Sequence, residues 1–373
     1  MVIGNLFRIS IFEFRICLLT GALAIKLYNL GKVPWHESQL IYHALAALGR
    51  EALSLVSPAT PYVCVGFHQD LEQEVDLDFC TANHIPVFRR DLGGGAVYLD
   101  GDQLFFQLIL RRDNPAVSVG KEAFYRKFLQ PIINVYRRIG IPAEYRPIND
   151  VIAGTRKISG TGVGEIGNCI VFVGNLIVDF NYAMMSRVLK VPDEKFRDKV
   201  HKTLMENLST IRHELGQNKA KAWNEADLNA LMAEEFEKLL GPMEPSEKDE
   251  ALQARIEELG VRMMSDVWLY QKGRRISGRD IKIRAGIKVI QKIHKALGGL
   301  IRADFELREG KFSNVSLSGD FFCFPEQAIG LLEARLEGQP IEEASTLLRE
   351  FYSKDAIETP GIGIDDWMQV LAV

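Results

Sequence analysis

The chain has 373 residues, 47% of them hydrophobic, and a formal net charge of −4. A chain of this length and apolar content can bury more than one core, so we expect two domains. Lysine and arginine residues are scattered, and the basic stretch at 272–284 is short and interrupted. This distribution argues against a groove for a polyanion, and we expect no nucleic-acid partner.

Residues 1–25 have some features of a targeting segment. Arg8 and Arg15 precede the apolar run ICLLTGALAI, but Glu13 interrupts the basic region and the run is too short to span a bilayer. We therefore expect a dispensable extension or an upstream start codon, with a secretory signal as the alternative. The five cysteines form no CxxC pair and are too widely spaced for a disulfide framework, which favours a reducing, cytoplasmic location without membrane attachment.

The pattern of apolar residues predicts a mixture of helices and strands. Helical spacing after Glu37 is broken by Pro58 and Pro61, and a later apolar segment has the pattern of two strands turned at Gly174 and Asn175. The predicted helices lie at 37–55, 121–139, 193–215 and 225–240, and the predicted strands at 62–66, 87–90, 95–99, 104–110 and 170–180.

The segment 241–249, GPMEPSEKD, combines two prolines with clustered charge, as an exposed interdomain linker would. This divides the chain into the extension 1–25, a first domain 26–241, a linker 242–260, and a second domain 261–373 with helices at 328–336 and 342–351. We expect an α+β fold, in which a mixed or antiparallel sheet is layered with helices and followed by a smaller C-terminal α+β domain.

A glycine loop lies within residues 88–100, FRRDLGGGAVYLD. Three consecutive glycines let backbone N–H groups approach a ligand closely, and Arg89 and Arg90 offer guanidinium forks for a carboxylate or phosphate. The glycines precede another strand, AVYL, and not the helix that a dinucleotide-binding fold requires. The loop suits an activated carboxylate such as an acyl phosphate. The alternative is an ordinary hairpin with solvated arginines.

A second segment at 146–165, RPINDVIAGTRKISGTGVGE, has the pattern of a strand, a glycine turn and a strand with Lys157 at its centre. The neighbours Ser159, Gly160 and Thr161 are small, so the lysine ammonium can reach a bound carbonyl or α-phosphate oxygen. The alternative is a solvated hairpin lysine.

In this order and spacing, the two segments resemble the lipoate-protein ligase family, within the wider biotin and lipoate ligase fold. The similarity begins near Lys26 and covers most of the chain. It is carried by KLYNLGKVPWHESQLIYHAL, YVCVGFHQDLEQEV, RRDLGGGAVYLD, NDVIAGTRKISG and VPDEKFRDKVHKTLMENLSTI, and it resumes with GGLIRADFELREGKFSNVSLSGD and FPEQAIGLLEARLEGQP. The last two runs look like the small accessory domain that many of these ligases carry, so 26–241 would be the catalytic domain.

The resemblance implies a reaction in two steps, in which ATP activates lipoate as lipoyl-AMP and a lysine of a lipoyl carrier domain then attacks to form an amide. ATP and Mg²⁺ would be required, and lipoate would be the substrate. Lys157 would contact the lipoyl carbonyl and the α-phosphate in both steps. Arg89 would brace the carboxylate end, with Arg90 as the lesser candidate. Asp150 would also be the candidate Mg²⁺ ligand, because hard cations prefer oxygen. The residues assigned to lipoate or adenylate binding are Arg89, Arg90, Gly93, Gly94, Gly95, Asn149, Asp150, Ser159, Gly160, Thr161 and Gln69.

Three alternatives remain open at this point. An ATP-independent octanoyl or lipoyl transferase of the same fold needs a cysteine nucleophile, yet neither 147–150 nor 179–183 contains one, and Cys169 lies in an apolar run. A non-catalytic lipoyl-binding relative is the second, because Val173 stands where many ligases have a histidine before Gly174. Biotin ligase fits less well, since its GRGRxGR-type loop is absent.

Overall fold

A computed structural model of the chain describes residues 24–117, 121–273, 287–354 and 357–372. Most of the expected N-terminal extension and of the basic stretch 272–284 lies outside the described residues. Ile25, which was expected to belong to the extension, is buried in the core of the first domain. Within the described ranges, no helix combines the length and apolar character needed to cross a membrane.

The first domain alternates short strands and helices. Its strands are β1 (Lys26–Val33), β2 (Ala52–Pro58), β3 (Tyr62–Val65), β4 (Val87–Arg89), β5 (Val97–Leu99), β6 (Gln103–Arg111), β7 (Ala143–Arg146), β8 (Asp150–Ala153), β9 (Arg156–Ser159), β10 (Thr161–Ile166), β11 (Cys169–Ile177) and β12 (Glu244–Pro245). Its helices are α1 (Glu37–Ala47), α2 (Leu71–Glu74), α3 (Leu77–Ala82), α4 (Lys121–Phe128), α5 (Gln130–Arg138), α6 (Tyr182–Val188), α7 (Glu194–Asn207), α8 (Ile211–Leu215), α9 (Gln217–Ala220), α10 (Glu225–Leu240), α11 (Glu250–Met263) and α12 (Asp266–Leu269).

A mixed six-stranded sheet organises this domain, in the order β10-β11-β6-β2-β1-β12. β1 runs parallel to β2 and β12, and the other neighbours are antiparallel. Phe106 and Phe172 face one core with Phe236 of α10, and Ile109 faces a second core that contains Leu45 of α1. Helices therefore cover both faces of the sheet, and the predicted α+β fold class is confirmed.

The C-terminal domain is a smaller α+β unit with its own core. Three antiparallel strands, β13 (Ile287–Ala296), β14 (Gly299–Arg308) and β15 (Lys311–Gly319), pack against α13 (Ala328–Leu336), α14 (Ala344–Lys354) and α15 (Ile364–Leu371). Phe305, Phe312 and Trp367 are fully buried between these layers.

Local sequence signals set several helix ends. Asn224 accepts a hydrogen bond from the Asp227 N–H, and the Asp227 carboxylate accepts one from the Asn224 N–H, so a capping box begins α10 at the predicted residue. Gly241, at φ +89°, ends it. The helix predicted over 37–55 ends earlier, at Ala47, because Gly49 adopts φ +65° and the chain then enters β2.

The predicted strand pair over 170–180 is wrong, because β11 is one continuous strand with β10 on one side and β6 on the other. Glycine at position 174 is needed for packing and not for a turn: a Cβ there would lie 2.4 Å from the Phe106 ring. Asn175 continues the same ladder opposite Phe105.

The interval predicted as a linker, 242–260, is largely part of the first domain. Residues 244 and 245 form β12 at the edge of the large sheet. The helix α11 then buries Leu252, Ile256, Leu259 and Met263 against the core that contains α1. Their spacing places these four side chains on one face of the helix, and that apolar stripe explains why the segment packs instead of remaining exposed.

Candidate functional site

A cavity of about 350 Å³ lies where the glycine loop, the large sheet and the C-terminal domain meet. Eight of the residues predicted from the sequence line it, namely Arg90, Gly93, Gly94, Gly95, Asn149, Lys157, Gly160 and Thr161. Arg89, Gln69, Ser159 and Asp150 do not line it. The structure thus places the two sequence segments on one cavity, although they are separated in the chain.

A larger cavity of about 820 Å³ lies elsewhere, beside Lys26 and Arg50. Its cationic side chains are already paired: Lys26 Nζ is 2.6 Å from a Glu244 oxygen, Arg50 Nη1 is 2.9 Å from an Asp249 oxygen, and Arg111 pairs with Asp113. None of the predicted site residues lines it. The smaller cavity, which the lysine, the glycine loop and several apolar side chains line together, is therefore the candidate site.

Lys157 lies at the edge of the smaller cavity, on the hairpin of β8 and β9. Its Nζ is 2.8 Å from Asp150 Oδ1, and Arg146 Nη2 is 2.8 Å from the other oxygen of the same carboxylate. Burial raises the pKa of Asp150, but the two cations outweigh burial and hold this pKa below its ordinary value. The Lys157 side chain remains 33% exposed, so its ammonium is restrained without being enclosed.

Asn149 and Thr161 clamp the hairpin to the next strand. The Asn149 Nδ2 donates to the Thr161 carbonyl oxygen at 2.8 Å, and the Thr161 hydroxyl donates to the Asn149 carbonyl oxygen at 2.6 Å. This reciprocal pair fixes the strand beside Lys157, and both residues face the cavity.

Gln69 and Ser159 are buried and bind backbone. Gln69 Oε1 accepts a hydrogen bond from the Gly66 N–H at 2.9 Å, and the Ser159 hydroxyl donates to the Asn175 carbonyl oxygen at 2.6 Å. The Asn175 side chain in turn accepts from the Gly160 N–H at 2.9 Å and lines the cavity. Sequence reasoning assigned Asn175 to a turn and therefore missed it as a cavity residue.

The glycine loop packs too tightly for any side chain at its closest point. A Cβ at Gly66 would lie 1.9 Å from the Gly94 carbonyl oxygen. Arg90 braces the loop, with Nη2 donating to the carbonyl oxygens of Gly93 and Gly95 at 2.8 and 2.9 Å. The Gly94 N–H donates to the carbonyl oxygen of Phe321 at 3.0 Å. The loop is thus held by backbone contacts that only glycine allows.

Arg89 is fully buried and faces away from the cavity, contrary to the expectation that it braces a carboxylate there. Its Nε donates to the Leu269 carbonyl oxygen at 2.9 Å, and its Nη1 donates to the carbonyl oxygens of Gly66, Phe67 and Gln69. Burial lowers the pKa of this guanidinium to about 10. Successive residues of a strand point to opposite faces, so only one of two adjacent arginines can reach the cavity, and that one is Arg90.

The inner end of the cavity is mainly apolar, with a few buried polar groups that sequence reasoning did not identify. The apolar lining includes Leu92, Val97, Leu99, Phe105 and Val173, and the polar lining includes Gln39, Tyr42, Cys64 and Gln107. The Tyr42 hydroxyl donates to Gln39 Oε1 at 3.1 Å, and Gln39 Nε2 donates to the Tyr62 hydroxyl at 2.7 Å. Gln39 and Gln107 each interrupt an apolar pattern, in α1 and in the run QLFFQLIL, and that interruption was the available signal.

The C-terminal domain forms the mouth of the cavity. The Phe322 ring would lie 3.4 Å from a Cβ placed at Gly162, and Phe321 stacks on His68 with ring centroids 4.8 Å apart. Glu326 Oε1 accepts a hydrogen bond from the Glu165 N–H at 3.1 Å. Nothing in the linear sequence identified Phe322 as a cavity residue, since its position depends on how the two domains pack.

The described residues do not form a ready-made metal site. Among them, no group of three or more His, Cys, Asp or Glu side chains could hold an ion. Each Asp150 oxygen already contacts a cation, Lys157 or Arg146. This carboxylate therefore does not fit the role of a resident Mg²⁺ ligand in this conformation.

The thiols near the site are poor nucleophiles. Cys64 lines the cavity, but burial raises its pKa. Cys169 is buried in β11, and burial raises its pKa as well. A reactive cysteine needs a thiolate in an exposed, electropositive setting, and neither residue has one.

Comparison with known proteins agrees with this geometry. Residues 35–237, more than half of the chain, match the family model for the lipoyl protein ligase A/B catalytic domain. The chain belongs to this family. The resemblance recognised from the sequence is thereby confirmed.

The match covers different shares of two curated relatives. Lipoate-protein ligase A subunit 1 of Thermoplasma acidophilum is 33% identical over 159 residues, which cover 40% of this chain and 59% of that subunit. Lipoate–protein ligase 1 of Staphylococcus aureus is 26% identical over 309 residues, which cover 80% of this chain and 81% of that protein. The match thus spans less than two thirds of the Thermoplasma subunit.

Two solved structures share the fold. A Thermoplasma acidophilum structure, described as a bi-partite lipoate protein ligase and its E2 lipoyl domain, aligns with TM-score 0.60 and 24% identity over 68% of this chain and 100% of that one. P. falciparum LipL1, solved in complex with lipoate, aligns with TM-score 0.65 and 15% identity over 89% of this chain and 95% of that one. At these identities the likeness establishes the fold alone.

Proposed function

We propose that this chain activates lipoate with ATP to form lipoyl-AMP and transfers the lipoyl group to a lysine of a lipoyl carrier domain. The observation that carries the proposal is the convergence of Lys157 and the glycines 93–95 on one cavity with an apolar inner end. A medium-length acyl chain suits that inner end, and its carboxylate then lies near the ammonium and the loop.

In the first step, a carboxylate oxygen of lipoate attacks the α-phosphorus of ATP, and pyrophosphate leaves. The Lys157 ammonium stabilises the charge that develops between carboxylate and phosphate, as preorganised donors do in such transition states. Asn149 and Thr161 hold the adjoining backbone in place. Mg²⁺, when bound with the nucleotide, would neutralise phosphate charge with few protein ligands, so the proposal does not depend on Asp150 as a ligand.

In the second step, the amine of a carrier lysine attacks the lipoyl carbonyl, AMP leaves, and the amine loses a proton as the amide forms. In this proposal the same Lys157 ammonium stabilises the oxyanion and the departing phosphate. The carrier is proposed because the Thermoplasma structure is described as that of a bi-partite lipoate protein ligase and its E2 lipoyl domain. Two relatives named as lipoate-protein ligases support the reaction class.

The competing function is acyl transfer without ATP, and the buried thiols argue against it. Transfer through a covalent thioester requires a cysteine that reaches the substrate carbonyl. Cys64 and Cys169 are both fully buried with raised pKa values, so neither supplies a thiolate at neutral pH.

The deciding experiment incubates the full chain with ATP, Mg²⁺, lipoate and an apo lipoyl domain, and detects products by mass spectrometry. We expect lipoyl-AMP without the carrier and a lipoylated carrier when it is present. Omission of ATP should abolish both products. Acyl transfer without ATP that is lost in Cys169→Ser would establish the transferase instead, and lipoate binding without adenylate would establish a non-catalytic relative.

A further inference from the structure

Gln107 occupies the inner end of the cavity, in the middle of β6. It pairs with Val173 of β11, which in turn pairs with Gly162 of β10, and on its other side it pairs with Ser54 of β2. Opposite residues in neighbouring strands share a face of the sheet, so Gly162, Val173 and Gln107 form a row across the cavity floor. With strands about 4.8 Å apart, Gln107 lies roughly 10 Å inward from Gly162, where Phe322 closes the mouth.

The orientation of the Gln107 amide is fixed by its one hydrogen bond. Nε2 donates to the Ser38 carbonyl oxygen at 2.6 Å, and a carbonyl oxygen can only accept, so the flipped amide is excluded. The other amide atom, Oε1, is buried and has no hydrogen-bond partner, and the residue is 2% exposed. Gln107 thus lines a cavity whose other groups are apolar or paired, and its Oε1 is an unpaired acceptor.

The neighbouring polar groups in the cavity are engaged elsewhere. The Tyr42 hydroxyl donates to Gln39, and the Gln39 amide donates to the Tyr62 hydroxyl. The Cys64 sulfur lies 3.5 Å from Arg90 Nη1 and directs its weak donor toward the Val65 carbonyl oxygen. Among the described residues, no donor therefore forms a hydrogen bond with Gln107 Oε1.

An amide oxygen can only accept a hydrogen bond, so the ligand has to supply the donor. A plain fatty acyl tail has none, and neither has the closed dithiolane ring of lipoate. The reduced, ring-opened form carries two S–H groups, which are weak donors. A buried acceptor left unpaired disfavours the complex, as seen where enzymes reject analogues that lack a hydrogen-bonding group.

We propose that Gln107 is a specificity-determining residue that selects acyl acids with a hydrogen-bond donor near the end of the tail, and hence the reduced dithiol form of lipoate over the closed ring. This inference rests on the proposed function, because it concerns the acid that this site activates. Gln107 contacts the tail and not the reacting carboxylate.

The test measures kcat/KM of the full-length wild-type protein for different acids. Pyrophosphate release is followed with saturating ATP and Mg²⁺. The probes are octanoate, ω-hydroxyoctanoate, lipoate, and lipoate kept reduced by a phosphine. We expect kcat/KM to be at least tenfold higher for ω-hydroxyoctanoate than for octanoate, and about fivefold higher for reduced than for oxidised lipoate, since S–H donates weakly. In an apolar pocket without an acceptor, kcat/KM would be lower for ω-hydroxyoctanoate than for octanoate, because the hydroxyl loses its hydrogen bonds to water and gains none.

Two variants assign the preference to the residue. Gln107→Met keeps a similar volume and removes the acceptor, so both ratios should fall to about one or below. Ser54→Ala is the matched control, since its hydroxyl is also buried and unpaired on the adjacent strand, and it should keep the wild-type ratios.

The outcomes separate the two proposals. Adenylation of all four acids with no preference overturns the role of Gln107 and leaves the proposed function in place. A preference that persists in Gln107→Met, or that disappears in Ser54→Ala, also overturns it. Failure to release pyrophosphate with any acid refutes the proposed function itself. The wild-type comparison requires no variant to fold.

Discussion

The ammonium of Lys157 lies 2.8 Å from Asp150 Oδ1, across the turn that joins β8 and β9. The same carboxylate holds Arg146, so Lys157 belongs to a three-residue charge cluster at the edge of the cavity. A lysine has many rotamers, and the carboxylate reduces the number it samples. The cluster therefore positions the one lysine that the proposed reaction needs.

Replacing Lys157 with alanine should slow both adenylate formation and lipoyl transfer by about 10²–10³-fold, because a preorganised donor to the transition state is lost. Lys157→Arg should restore little, since a planar fork does not reproduce a compact point charge. Single-turnover assays of each step measure the effect. Lys199→Ala, on the exposed helix α7, is the control and should be neutral. Rates within a few fold of the wild type in Lys157→Ala would contradict the assignment.

Asp150→Asn should lower stability at neutral pH by about 1 kcal/mol, an amount typical of a partly exposed ion pair. The folded-state pKa of Asp150 lies below its ordinary value. The stabilisation is therefore complete above that ordinary value, roughly 3.9, and is lost as the pH falls through the lower folded-state pKa. Urea unfolding at pH 7 and pH 3 should show that the gap in free energy of unfolding between the wild type and Asp150→Asn is smaller at pH 3. Asp113→Asn, which breaks a more exposed pair, should show a smaller gap.

Glu326→Gln should stabilise the protein at pH 8 and have little effect at pH 4.5. Burial between the domains, near Glu165 and Asp91, raises the pKa of Glu326 to about 7. The wild type therefore loses stability as the pH rises from the unfolded-state value, roughly 4.3, to about 7, by an amount on the order of 2–3 kcal/mol. Glutamine can still accept the Glu165 N–H bond. Thermal melts of both proteins between pH 4.5 and pH 8 measure how stability changes with pH, and the exposed Glu247→Gln is the control. If Glu326→Gln differs from the wild type by the same amount at both pH values, the prediction is wrong.

Arg89→Met should destabilise the protein by about 3–5 kcal/mol, because it leaves buried carbonyl oxygens without donors. If Arg89 is structural, the KM for lipoate in the folded fraction should remain near that of the wild type. Denaturant unfolding and steady-state kinetics measure the two effects separately. The exposed Arg187→Met should change stability by less than about 0.5 kcal/mol. A stable variant with a greatly raised KM would restore Arg89 to the binding site.

Gly66→Ala should destabilise the glycine loop by about 1–3 kcal/mol or more and reduce adenylation, because its Cβ would overlap the Gly94 carbonyl oxygen. Gly330→Ala is the matched substitution in α13, where a Cβ meets nothing within 4 Å. There, alanine should be neutral or stabilising, by up to about 1 kcal/mol. Equal melting temperatures for the two variants would show that the close contact is not maintained in solution.

The sequence predicted the fold where local signals act without the rest of the chain. The capping residues around α10 and the apolar period of α13 gave both helices their observed bounds. It failed at Gly174, where glycine usually signals a turn but here accommodates the Phe106 ring from the adjacent strand. Such a contact involves residues far apart in the chain, which no local pattern contains.

The candidate site shows the same division. The glycine loop and Lys157 were found from their chemistry, and the structure brings both to one cavity. Arg89 was preferred over Arg90 as the carboxylate ligand, but Arg90 is the one that lines the cavity, because the face that each arginine occupies depends on the strand β4 and its neighbours. Gln107 and Phe322 were missed, since the first lies within an apolar run and the second comes from the other domain.

The bond from the Gly94 N–H to the Phe321 carbonyl oxygen couples two events that look separate. An anion that accepts a hydrogen bond from this N–H competes with the Phe321 carbonyl oxygen, which is part of the folded C-terminal domain. The apparent affinity for such a ligand is then the intrinsic affinity multiplied by the fraction of molecules in which the C-terminal domain has already released the Gly94 N–H. Substitutions that loosen this attachment anywhere along its length should tighten ligand capture, even where no ligand atom comes near.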